Sequence, residues 1–273
     1  MIVRAERGRL RLTLQTDHAM LAGEFAGAWG GESFAQPVPL AAVRIAAEMH
    51  DDGWEEWERE PLVMPDSGRP YDFMSLPPDQ HVPIYERGIR LALDRHPYAG
   101  LLASLHGTGL YKRRYGYMPN MNFREHAPEY QPLIDRYLGE QKALQDQLVA
   151  ELGTDEEALW THYRWLQAWD LLSLFLSQGD PAERQSLSLG SLPRSPGGAE
   201  EQLVVQGAGP GICTVTPWPF AAPQLDLVLP VRYLPDQHFE SDKAFQEAFA
   251  AAPTEALAVS LVPSVANPEA TGA

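Results

Sequence analysis

The pair His50-Asp51 sets an imidazole nitrogen beside a carboxylate oxygen at the end of an amphipathic stretch, Pro39-Leu-Ala-Ala-Val-Arg-Ile-Ala-Ala-Glu-Met-His50-Asp51-Asp52-Gly53-Trp54. Nitrogen and oxygen donors together suit a transition-metal ion. One such pair carries little weight alone. His18, His81, His106 and Asp170, though, each fall on the apolar stripe of a further predicted helix. Imidazoles and carboxylates are costly in a core unless ligated, paired or hydrogen-bonded, so several of them on several helices predict a shared internal partner. With no cysteine among them, the donors suit one or two divalent ions of Fe, Mn, Zn, Co or Ni and disfavour a structural zinc cluster. Six donors exceed the need of one ion with open positions and match two ions bridged by Asp51.

The elements that must position these donors follow from periodicity. Residues 1–15 alternate loosely as one or two short strands. Thr16 or Asp17 caps a helix with Leu21, Phe25 and Ala28/Trp29 on one face, His18 in its first turn and Gly30-Gly31 at its end. Pro39 opens a second helix that carries Val43, Ala46, Ala47 and His50 inward. Residues 59–78 read as a long ordered loop. A third helix begins at Asp79 with His81, Ile84, Tyr85, Gly88 and Leu91 inward; a fourth follows Pro97 and is broken at Gly107-Thr108-Gly109. Two long helices cover 129–152 and 155–178, and the stripe of the second, capped by Thr154, is Leu159, Tyr163, Leu166, Asp170, Ser173. Beyond them, 202–206, 212–216, 225–229 and 256–261 read as strands, with a helix over 241–252.

The expected fold is therefore mainly α, a helical bundle with a small C-terminal antiparallel β element that the first strands are able to join. Residues 1–183 form a helical metal-binding domain with short N-terminal strands, and the Ser/Pro/Gly-rich 184–200 a linker or surface loop. Residues 201–263 form the β-rich element packed on the helical body, and 264–273 a disordered tail.

An early-helix His, a His-Asp at a helix end followed by Gly, further His and a late-helix Asp together resemble the HD-domain superfamily. Ala46-Ala-Glu-Met-His50-Asp51-Asp52-Gly53 is similar to its central motif, and Ala168-Trp169-Asp170-Leu171-Leu172 to its terminal Asp motif. The resemblance covers roughly residues 10–180, and the whole chain looks like a bacterial family of unknown function in or near that superfamily. It implies an HD-domain-like helical core, metal coordination by His18, His50, Asp51 and Asp170, and phosphohydrolase chemistry on a phosphomonoester or phosphodiester. Asp52 replaces a usually apolar residue, and Trp54 stands where a Lys usually follows the Gly. With His81 and His106 added, the donor set resembles both the dinuclear HD phosphodiesterases and the diiron HD oxygenases that cleave inositol or organophosphonates.

Composition narrows the partners. A formal net charge of −16 over 273 residues repels phosphate backbones and anionic membranes at long range, so neither nucleic acid nor a membrane is expected. A small anionic substrate is still admissible, because local charges dominate within a Debye length. The lone Cys213 cannot form an internal disulfide, no apolar run approaches a bilayer span, and the N-terminus lacks a signal-peptide core; the expected location is the cytoplasm. A homodimer is compatible with the sequence.

On the substrate side, Thr108-Gly-Leu-Tyr111-Lys112-Arg113-Arg114-Tyr115 is the most basic short stretch and follows His106 directly. Arg guanidinium matches phosphate bidentately and Tyr stacks or hydrogen-bonds, so Lys112, Arg113 and Arg114 are expected to compensate substrate charge, with Thr108 and Tyr111 beside them. Asp52 is expected to orient a ligand histidine or accept a proton from water, and Arg69 and Tyr71 of the long loop to line the entrance. The leading expectation is a metal-dependent phosphohydrolase. A diiron oxygenase on the same ligands and a non-catalytic metal-binding sensor are the alternatives.

Overall fold

Residues 1–118 and 125–264 are described by a computed structural model. A hairpin of strands Ile2–Glu6 (β1) and Arg9–Thr13 (β2) leads into helices Gln15–Ala28 (α1) and Leu40–Met49 (α2), the short Glu55–Arg59 (α3), then Pro78–Arg95 (α4) and Pro97–Tyr111 (α5). Two long helices follow, Gln131–Leu152 (α6) and Glu156–Gln178 (α7). The last third contributes strands Ser186–Pro193 (β3), Glu200–Gly209 (β4), Ile212–Thr216 (β5) and Leu225–Pro235 (β6), helix Asp242–Ala251 (α8) and strand Thr254–Pro263 (β7).

Helix α5 is apolar on nearly every side and almost wholly buried, as befits a central helix packed against α2, α4, α6 and α7. It does not break at Gly107 and Gly109. An added Cβ at Gly107 would collide with the Tyr137 hydroxyl and one at Gly109 with the Tyr163 hydroxyl, so both glycines admit neighbouring tyrosines. Helix α7 is capped by Asp155, one residue after Thr154; its carboxylate accepts from the Ala158 amide at 2.8 Å.

The mainly α expectation is wrong. The protein is about 50% helical around a seven-stranded mixed sheet curled into a half-barrel, an α+β fold. Strand order is β1-β2-β6-β7-β5-β4-β3, antiparallel except for the β5–β7 pair. The N-terminal hairpin is integral to the sheet, with Leu10 of β2 opposite Leu234 of β6. Two features hid this sheet. Strand β6 runs on through Pro230 to Pro235, past the apolar run that ends at Leu229. Strand β3 lies inside the Ser/Pro/Gly-rich segment read as a linker, where a register break between Ser188 and Ser191, with Gly190 at φ 78°, interrupts the period-two alternation.

One core joins helices and sheet. Trp29, Trp165 and Trp169 of the helical layer pack with Leu189, Val205, Val215, Leu229 and Leu261 from the strands, and the Trp165 indole donates to the Pro193 carbonyl at 2.8 Å. Helix α8 covers the β2–β6 end with Phe245 and Phe249 against Leu10, Leu12 and Leu234. Leu91, expected inward, is exposed on α4. Among the described residues no helix is long and apolar enough to cross a membrane. The predicted disordered tail lies outside the described residues from 265 onward.

Candidate metal centre

Four elements deliver polar side chains to one buried point. His18 comes from the first turn of α1, His50 and Asp51 from the end of α2, His106 from α5 and Asp170 from the middle of α7; none is more than 3% exposed. The α1 and α2 helices meet through the alanines of their buried faces, and both pack on the Trp- and Leu-rich face of α7. Within that packing the donor atoms of His18, His50 and Asp51 form one group, and those of His50, His106 and Asp170 a second, each within 4.8 Å.

The hydrogen bonds behind the rings define their proton positions. The Ser173 hydroxyl donates to the Asp170 carbonyl at 2.8 Å, so its oxygen accepts from His18 Nδ1 at 2.6 Å. His50 Nδ1 donates to the Ala47 carbonyl at 2.8 Å. A neutral imidazole holding its proton on Nδ1 presents a bare lone pair at Nε2, and these two Nε2 atoms face each other at 3.2 Å. Asp51 Oδ2 lies 3.2 Å from His18 Nε2 and 3.7 Å from His50 Nε2, and Asp170 Oδ1 lies 3.7 Å from both. An ion roughly 2.0–2.2 Å from each ligand sets neighbouring donors about 3–3.5 Å apart. His18, His50 and Asp51 are therefore spaced to hold one divalent ion, and Asp170 Oδ1 lies within reach of the same two imidazole nitrogens. Asp51 Oδ1, also buried, has no hydrogen-bond partner among the described residues, which is costly for a carboxylate oxygen away from water.

Electrostatics agree with a site built for positive charge. Burial alone would strip a proton from His50, but the Asp51 and Asp170 charges outweigh it and raise its pKa from 6.5 to about 9. Burial opposes ionisation of both carboxylates too. Nearby His50 nevertheless holds Asp51, and Arg114 holds Asp170, well below the ordinary range. A raised folded-state pKa stabilises the metal-free protein fully below the unfolded value, and that contribution disappears as pH rises through the folded value. For His50 the window runs from 6.5 to about 9. Metal uptake must displace the same proton. Calorimetric titration in buffers of differing ionisation enthalpy should thus find about one proton released per ion inside that window, with affinity rising across it; uptake without proton release would contradict this assignment.

A cavity of about 350 Å³ adjoins the donors. Phe73, Leu76, Tyr85, Leu110, Met118 and Leu174 make its walls largely apolar, and Gln15, His81, Tyr111, Arg113, Arg114 and His126 add polar groups. The Tyr85 phenol is kept protonated by burial first and by the Asp51 charge second. Arg113, Arg114 and Tyr115 form a left-handed turn at φ 49°, 49° and 53°, continued by Gly116 at 81°. That conformation costs a non-glycine residue roughly 1–2 kcal/mol. The turn aims Arg114 inward, where its Nη1 donates to Asp170 Oδ2 at 2.9 Å and to Gln167 Oε1. Tyr115 is held in turn by a 2.6 Å hydrogen bond between its hydroxyl and that of Thr108.

The sequence-predicted residues divide accordingly. His18, His50, Asp51, His106 and Asp170 converge; His81 lines the cavity with Nδ1 2.8 Å from the Tyr111 hydroxyl and belongs to neither close donor group. Arg113, Arg114 and Tyr111 line the cavity. Lys112 points outward over the Tyr115 ring, and Asp52, half-buried, has its pKa raised to about 6, chiefly by burial; neither lines the cavity. Thr108 is buried in a polar network with Ser104, Gln145 and Tyr115. Arg69 pairs with Asp236 at 2.7 Å, and Tyr71 packs beside Trp54 and Leu76. Phe73 and Met74 reach the cavity from that loop instead.

Sequence reading missed Gln15, whose amide donates to Asp51 Oδ2 at 3.2 Å, and Gln167, which links Arg114 to His106. A polar amide on the otherwise apolar face of α7, three residues before Asp170, was the available signal for Gln167. His126 also lines the cavity, while His162 is buried away from it against the Tyr98 hydroxyl.

The model of the family described as "Protein of unknown function (DUF3891)" matches residues 1–236, and the chain belongs to that family. No curated protein and no solved structure was found to match.

Proposed function

For this member of the family we propose a metal-dependent hydrolase of a small phosphorylated molecule, working from an HD-type ligand set on α1, α2 and α7. One observation carries the reading: the Nε2 atoms of His18 and His50, whose Nδ1 protons are engaged elsewhere, face each other at 3.2 Å, flanked by two buried carboxylates. Two imidazole nitrogens and two carboxylates packed so closely call for positive charge, which the His50 proton supplies in the metal-free protein and a bound ion would supply in its place. A divalent ion held by His18, His50, Asp51 and Asp170 would supply Lewis acidity, lowering the pKa of a water and drawing charge from a phosphoryl oxygen.

The chain's own residues perform the rest. Ser173 and the Ala47 carbonyl keep the two rings in the ligating tautomer, and Gln15 steadies Asp51. Arg114 holds Asp170 Oδ2, leaving Oδ1 turned toward His18 and His50. Arg113, exposed at the cavity, supplies a guanidinium for the substrate anion against the chain's overall negative charge. The apolar walls exclude water from the remainder of the substrate.

Protein loaded in turn with Fe, Mn, Zn, Co or Ni and given a panel of phosphomonoesters and phosphodiesters is expected to release product with at least one metal and to stop when chelated. Oxygen uptake with loss of a substrate and no phosphate release would overturn this in favour of the diiron oxygenase. Stoichiometric metal without turnover of any substrate in the panel would favour a sensor.

A further inference from the structure

We infer that His106 is a hydrogen-bond donor into the cavity and not a metal ligand, because Arg114 and Gln167 hold its proton on Nε2. Proximity alone would class it with the ligands, since its donor atom lies within 4.8 Å of those of His50 and Asp170. The proton decides otherwise.

A guanidinium only donates. Arg114 Nη1 meets Gln167 Oε1, so the orientation of that amide is determined by chemistry. The other end of the amide, Nε2, then lies 3.1 Å from His106 Nδ1. An amide NH₂ also only donates, so His106 Nδ1 accepts, and the single proton of the neutral ring sits on Nε2. This is the reverse of His18 and His50, whose Nδ1 protons are engaged by Ser173 and the Ala47 carbonyl. The three imidazoles thus sort into two ligands and one donor. A metal at His106 Nε2 would require the Arg114–Gln167 link to break or the amide to turn its NH₂ toward the guanidinium.

The donor has a natural target. His106 Nε2 is 3.8 Å from Asp51 Oδ1, the buried carboxylate oxygen that has no hydrogen-bond partner among the described residues. That separation is too long for a direct hydrogen bond. An oxygen atom seated beside both would accept from Nε2–H. On the hydrolase reading, on which the next statement rests, that atom is a phosphoryl oxygen or the water that attacks it. The centre then holds one ion, ligated by His18, His50, Asp51 and Asp170, with His106 as a positioning donor opposite.

The test uses protein labelled with ¹⁵N in histidine, metal-free and zinc-loaded, with zinc equivalents measured in parallel. The wild type is expected to show His106 as the Nε2–H tautomer and to bind one zinc. His106→Gln, which keeps an N–H near the ε position, should still bind one. Gln167→Glu replaces the donating amide by a carboxylate that accepts from Nδ1; it should move the His106 proton to Nδ1 and admit a second zinc. An Nδ1–H ring in the wild type, or two zinc equivalents falling to one in His106→Gln, would overturn the assignment. Where Gln167→Glu does not fold, the wild-type tautomer and the His106→Gln stoichiometry decide alone. One zinc and an Nε2–H ring in protein that hydrolyses nothing would sink the hydrolase reading and leave the His106 assignment standing.

Discussion

Asp51→Asn is expected to cost the protein its metal and its turnover together, by at least about a thousandfold each, since changes behind the ligands alone cost about ten- to a hundredfold. The substitution preserves shape and removes charge. Asp51 sits 3.2 Å from His18 Nε2 and 3.7 Å from His50 Nε2, so its loss leaves two imidazoles and one carboxylate to hold the ion. It also removes the charge most responsible for keeping His50 protonated in the metal-free state, so the number of protons released on metal uptake should fall toward zero near neutral pH. Calorimetric titration and phosphate release, measured on the same preparations, check both. The neighbouring Asp52→Asn is the control: Asp52 is half-buried and outside the cavity lining, and its replacement should leave metal stoichiometry unchanged. Loss of metal in Asp52→Asn but not in Asp51→Asn would reverse the assignment.

Gly53→Ala should be among the most damaging single-methyl additions in the chain. An added Cβ would strike the Ile84 carbonyl and lie 2.8 Å from the Gly88 amide nitrogen, both backbone atoms of α4. Backbone cannot swing aside as a side-chain end can, so the chain must move. Overpacking typically costs about 1–3 kcal/mol, occasionally more, and this contact belongs at or above the upper end. For a protein of this size roughly 3 kcal/mol corresponds to a melting temperature lower by about 6 °C or more. The displacement falls two residues from Asp51, so metal affinity should drop with stability. Thermal unfolding with and without added metal separates the two: metal is expected to raise the melting temperature of the wild type far more than that of the variant. An unchanged melting temperature would contradict this close approach of Gly53 to the α4 backbone.

The donor set was legible in the sequence because it breaks a pattern. His18, His50, His106 and Asp170 interrupt apolar helical stripes, and periodicity alone places each on an inward face. The same reasoning placed His81 with them, but a helical stripe gives direction without depth; His81 points to the cavity and lies outside both close donor groups. Proton positions were out of reach, because they depend on Ser173, Gln167 and the Ala47 carbonyl, partners set by tertiary packing. The fold was read less well than the site. Helix signals are local, whereas the β2–β6 pairing joins residues more than two hundred positions apart, and the bulged β3 lacks clean alternation. Thr108 illustrates the remaining gap. It sits in the basic stretch expected to meet substrate, yet the one turn of helix between it and Arg114 turns it into the interior, where its hydroxyl braces Tyr115.

Everything proposed for this site rests on His18, His50, Asp51 and Asp170 holding one divalent ion. A crystal structure of metal-loaded protein, with an anomalous difference map recorded at the absorption edge of the bound metal, tests it most directly. A single peak is expected within bonding distance of His18 Nε2, His50 Nε2, Asp51 and Asp170, with the His106 ring unligated beside it. No peak among these four side chains, or a second peak ligated by His106 Nε2, would contradict it.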